Sequence, residues 1–123
     1  MPEPEQIRAA VRCYLDTVAT GTAAEIAELY AENATLEDPV GAPGHTGRAA
    51  IEKFYSSLES SRRSTELLSL RVSGDHAAFA FRVITETGDR TITVEPIDVM
   101  SFDADARITS MRAFWSADDI SFG

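Results

Sequence analysis

The sequence predicts an α+β fold in which a curved antiparallel sheet packs against three N-terminal helices. Two observations carry this. Apolar residues recur at helical spacing in three segments of the first half, and after residue 63 the period switches to two. Each element then has only one apolar side, so the sheet must curve around the helices to bury all of them.

The first helix is expected over residues 3–20. Pro4 suits a first helical turn, and Gly21 suits the residue after the end. Ile7, Val11, Tyr14, Leu15 and Val18 form its apolar stripe. Thr22-Ala-Ala-Glu25 has the capping-box pattern and opens a second helix, with Ile26, Leu29 and Tyr30 pointing inward. Residues 35–38 read as a short strand halted by Pro39, which places Asp38 at a strand-to-loop junction. Gly41, Pro43, Gly44 and Gly47 keep the next segment a loop. A third helix runs from about residue 46 or 47 to 58, with Ile51, Phe54, Tyr55 and Leu58 on one face.

Four strands follow, at 64–73, 77–86, 90–102 and 107–116. Turn signals separate them: Ser-Gly-Asp-His at 73–76, Thr-Gly-Asp-Arg at 87–90 and Asp-Ala-Asp-Ala at 103–106. Side chains alternate faces along a strand. One face of 91–102 therefore carries Ile92, Val94, Pro96, Asp98, Met100 and Phe102. Asp98 falls in the middle of this apolar row. A buried carboxyl without a counter-charge takes up a proton, and a neutral carboxylic acid can donate a hydrogen bond. Asp98 is the first candidate for chemistry.

Bulk properties narrow the function. The 123 residues are the size of one domain, read as 1–123, with no linker or repeat. Glu3, Glu5, Arg8, Arg12 and Asp16 make the first 20 residues unlike a signal peptide or a membrane span. Cys13 is the single cysteine, which fits a reducing cytoplasm. His45 and His76 lie far apart with no Cys/His cluster, which argues against a zinc or iron site. The net charge of −9 disfavours nucleic acid, anionic membranes and anionic substrates. No glycine-rich phosphate loop is present. A neutral or cationic small molecule, or a protein, is the expected partner.

From the residues alone, other candidates keep two readings. Tyr14 is a core tyrosine or a site donor, and Asp38 is a turn residue or a cavity acid. Tyr14, Tyr30 and Tyr55, one from each expected helix, form either one hydroxyl chain or three separate boundary tyrosines. Phe54, Phe79, Phe81, Val83, Met100, Met111 and Trp115 either fill the core or line a cavity, and spacing does not separate these.

Tyr14 in Cys-Tyr-Leu-Asp-Thr-Val-Ala, the segments Ala34-Thr-Leu-Glu-Asp-Pro-Val-Gly41 and Pro96-Ile-Asp-Val-Met100, and the ending Ser110-Met-Arg-Ala-Phe-Trp115 together resemble bacterial delta-5-3-ketosteroid isomerases, of the nuclear-transport-factor-like and SnoaL-like superfamily. The resemblance spans nearly the whole chain. It implies a cone enclosing an apolar cavity. It implies that Asp38 is the general base, and that Tyr14 and a protonated Asp98 form the oxyanion hole. It implies that Tyr30 and Tyr55 back the catalytic tyrosine. Phe54, Phe81, Met111 and Trp115 match apolar wall positions, and Met100 is counted with them as a substrate contact. The family is cofactor-free, metal-free and homodimeric. The implied activity is steroid delta-isomerisation by intramolecular proton transfer on an apolar ketosteroid.

Two stretches depart from the family pattern, Thr85-Glu-Thr-Gly-Asp-Arg-Thr and Ser61-Arg-Arg-Ser64. Both are more polar than expected and bear on substrate range. The alternatives on the same fold are another enzyme, such as a polyketide cyclase-like or epoxide hydrolase-like protein, and a non-catalytic module binding hydrophobic ligands or a protein. The Tyr14–Asp98 donor pair favours enolate stabilisation over a cyclase. A binding module has no need of a carboxylate at Asp38 facing the cavity.

Overall fold

The computed structural model describes residues 1–123. Its helices are α1 (Pro4–Thr20), α2 (Ala23–Glu28) and α3 (Arg48–Ser56). Its strands are β1 (Tyr30–Glu37), β2 (His45–Thr46), β3 (Arg62–Ser73), β4 (His76–Thr87), β5 (Arg90–Val94), β6 (Ile97–Phe102), β7 (Ile108–Phe114) and β8 (Ile120–Phe122). All eight strands join one sheet, and the helices cover its inner face.

Local chemistry sets the helix ends. At α2 the Thr22 hydroxyl accepts from the Glu25 amide at 3.1 Å, and the Glu25 carboxylate accepts from the Thr22 amide at 2.8 Å, as the capping box requires. Gly21 ends α1, but not through a left-handed turn. Its backbone is extended, and a Cβ there would sit 2.8 Å from the Thr17 carbonyl. Close approach, rather than a positive φ, requires the glycine.

Three expectations are corrected. Helix two stops at Glu28, and Tyr30 opens β1 instead of closing the helix. Pairing of Tyr30 with Ile108 overrides the helical spacing, and the side chain still reaches the core. The expected strand 90–102 is two strands, broken at Glu95–Pro96. Proline has no N–H for the ladder, so β5 and β6 pair with different halves of β4. The sheet is mixed, not antiparallel, because β1 runs parallel to β7. These two strands are joined through most of the chain, so no tight turn dictates their relative direction.

The parity expected for 91–102 holds on β6. Asp98, Met100 and Phe102 are buried, whereas Ile97 is exposed on the outer face. Ile7, Val11, Leu15 and Val18 of α1 pack in one core with Phe79, Phe81, Met100 and Met111 of the sheet. At one end of this core the packing opens into a cavity.

Candidate active site

The cavity has a volume of about 250 Å³. Tyr14 and Val18 of α1 form one side, and Phe54 and Tyr55 of α3 with Leu58 form a second. Phe81, Val83 and Thr85 of β4, Val94, Pro96 and Asp98 form the sheet side, with Asp38 and Trp115 beside them. Exposed Ser57 marks where the lining meets solvent. All three singled-out residues, Tyr14, Asp38 and Asp98, reach this one cavity.

Asp98 is 1% exposed and stands between Phe79 of β4 and Ala113 of β7 in the sheet register. Its Oδ1 is buried without a hydrogen-bond partner. Burial pushes its pKa well above the usual carboxylate range, and the nearby Asp38 charge pushes the same way. Both effects favour the neutral acid.

Asp38 follows β1 directly and precedes Pro39. It is half-buried, and the Trp115 indole N–H donates to its Oδ1 at 2.6 Å. Burial raises the Asp38 pKa, while the Trp115 bond opposes that rise by favouring the charged form. The result is a carboxylate that is oriented, short of water and more basic than usual. Nothing in the sequence spacing links residues 38 and 115. The parallel β1–β7 pairing does, because it sets the ends of those two strands side by side.

The three tyrosines form one chain of hydroxyls. Tyr14 lies 2.9 Å from Tyr55, and Tyr55 lies 2.7 Å from Tyr30. The chain draws on two helices and a strand rather than three helices. Burial, first of all, raises each phenol pKa well above its ordinary value. The Tyr55 hydrogen bond acts in the opposite sense on Tyr14 and strengthens it as a donor. Tyr14 also packs edge-on against Phe79 at 6.4 Å between ring centroids.

Of the expected wall residues, Phe54, Phe81 and Trp115 line the cavity. Met100 and Met111 do not. They pair across β6 and β7 and are 0% and 1% exposed in the core. Val83, for which spacing left core and wall both open, also lines the cavity, and Val18, Leu58, Thr85, Val94 and Pro96 are further wall positions that the residue pattern did not single out. Strand parity held the signal for Thr85, Val94 and Pro96. Val83 and Thr85 share the face of Phe81, and Val94 and Pro96 share the row of Asp98.

Residues 11–111 match the SnoaL-like domain family. The chain belongs to the SnoaL-like family. Within that family it is 60% identical over 115 residues to the "Steroid Delta-isomerase" of Nocardioides simplex, covering 94% of each chain. It is 24% identical to the "Epoxide hydrolase LasB" of Streptomyces lasalocidi, of which it spans 51% of the length. Among solved structures, the epoxide hydrolase/cyclase-like enzyme SalBIII superposes with a TM-score of 0.91 at 28% identity, with both chains fully covered. RV0760c from Mycobacterium tuberculosis superposes at 0.89 with 21% identity, again over both whole chains, a likeness of fold. No helix is long and apolar enough to cross a membrane.

Proposed function

We propose that the protein is a steroid delta-isomerase that moves the double bond of a 3-oxo-delta-5-steroid into conjugation with the ketone. The observation that carries this reading is the convergence of Asp38, Tyr14 and Asp98 on one apolar cavity. The 60% identity to the Nocardioides simplex steroid Delta-isomerase over 94% of each chain supports it.

The chemistry follows from the geometry. The hydrogen on the carbon between ketone and alkene is weakly acidic. Asp38 takes that proton, the C–H electron pair moves into a dienolate, and negative charge gathers on the ketone oxygen. Tyr14 and neutral Asp98 donate hydrogen bonds to that oxygen from a water-poor wall. One such donor is typically worth about 10²–10³ in turnover. Asp38 then returns the proton to the far carbon of the dienolate on the same face, leaving the conjugated enone. The proton stays within the site, so the step consumes no cofactor. Apolar walls suit a substrate with large apolar area and few polar handles.

The pH dependence has a definite sign. Asp38 acts as the anion, so turnover falls as acid protonates it through its raised pKa. Asp98 acts as the neutral acid, so turnover falls again when alkali removes its proton.

We place the protein as one domain over 1–123, in the cytoplasm, working as a homodimer. Ile97 and Phe114 are cross-strand partners on the outer sheet face and are 49% and 42% exposed, which supports pairing through that face. The cyclase-like alternative draws on the SalBIII likeness. The donor pair around one oxyanion position favours the isomerase over it.

The test is direct. Mixing the protein with an unconjugated 3-ketosteroid should raise the ultraviolet absorbance of the conjugated enone. No signal at micromolar protein would turn the reading towards a non-catalytic binder.

A further inference from the structure

Arg63, on β3, is the chain's only buried basic side chain, 9% exposed. It forms no ion pair. Its guanidinium donates instead to four backbone carbonyls. Nε reaches Val18 at 2.7 Å and Nη2 reaches Gly21 at 3.0 Å, while Nη1 reaches Leu58 and, at 3.3 Å, Ser61. A buried cation is costly unless polar groups replace its water. Val18 and Gly21 lie at the C-terminal end of α1, where the helix dipole and free carbonyls favour a cation, and Leu58 and Ser61 lie in the turn that follows α3. Helix α1 has no basic residue of its own in its last turn.

The two helices that Arg63 joins are those of the hydroxyl chain. Tyr14 is on α1 and Tyr55 is on α3. Helix α1 packs chiefly on β3, and α3 packs on α2 and β1. Across the cavity the two helices are linked by the Tyr14–Tyr55 contact at 2.9 Å and by Arg63. Val18 and Leu58, whose carbonyls Arg63 holds, also present side chains to the cavity. Thr85, directly opposite Arg63 in the β3–β4 register, lines it too.

We propose that Arg63 is a positioning residue for isomerisation: it fixes the spacing of α1 and α3 and thereby the Tyr14–Tyr55 hydrogen bond. The proposal rests on the isomerase reading above. Loss of Arg63 lets the helix ends part, and the donor that meets the developing oxyanion drifts. Small displacements of positioned groups are costly in rate. A residue that only stabilised the fold would leave the rate of the folded fraction unchanged.

A double-mutant cycle on the full chain tests this. Arg63→Met should lower kcat of the folded protein about ten-fold, and less than about two-fold in a Tyr55→Phe background, where the contact it positions is already gone. Arg63→Lys, which keeps the charge but reaches fewer carbonyls, should restore part of the rate. If Arg63→Met does not fold, Arg63→Lys takes its place in the cycle. Equal losses in the two backgrounds, or no loss in either, overturn the proposal. If the wild type turns over no steroid, the isomerase reading fails by itself. The downfield hydroxyl proton of the Tyr14–Tyr55 bond, followed by NMR, then decides Arg63 alone. It should shift or vanish in the Arg63 variant, and an unmoved resonance overturns the proposal.

Discussion

At the scale of single residues, the proposed isomerisation needs opposite protonation of two carboxyls in one cavity. Tyr14→Phe and Asp98→Leu should each slow turnover by about 10²–10³ in steady-state assays. Asp98→Leu should also keep the fold, because an apolar side chain replaces a buried carboxyl whose Oδ1 has no partner. Asp98 further predicts a trend of stability with pH. A carboxyl whose pKa is higher in the folded than in the unfolded chain stabilises the fold fully below its unfolded value, about 4. That contribution is lost as pH rises through the folded value. Denaturant titrations at several pH values should show wild type losing stability relative to Asp98→Leu as pH climbs from about 4. Trp115→Phe removes the indole N–H from Asp38. With that bond gone, the acid limb of the pH–rate profile should move to higher pH, and an unshifted limb would mean that Trp115 is only a wall. The burial of Asp98 was legible from strand parity alone. The Trp115–Asp38 bond was not, because it depends on two strands meeting 77 residues apart in sequence.

At the scale of elements, local signals served where local chemistry decides. The Thr22 capping box forms as read, and Thr22→Ala should cost about 1 kcal/mol in urea denaturation. Local signals misled where tertiary pairing decides. Tyr30 fits the helical spacing of Ile26, yet its backbone belongs to β1. The Glu95–Pro96 break was visible as a proline in a strand pattern, and the missing N–H explains why β5 and β6 separate. The burial of Met100 and Met111 shows the limit of spacing. Strand parity tells inside from outside, but not which inward residues stop at the cavity and which fill the core.

At the scale of the whole molecule, one curved sheet brings a loop-edge acid, a strand acid and a helix tyrosine to a shared apolar space. The α+β class was legible from the change of period. The parallel β1–β7 pairing was not, since no turn encodes it. The exposed Ile97–Phe114 pair predicts a dimer by sedimentation, and Ile97→Lys should shift it towards monomer. In the proposed reaction Asp38 carries the proton between two carbons of the steroid. Enone absorbance from the Asp38→Asn variant at saturating 3-oxo-delta-5-steroid measures that role. Turnover should fall by about 10²–10⁴-fold while the steroid still binds, because the amide fills the site but is a poor base. Wild-type turnover by that variant would mean that Asp38 is not the base.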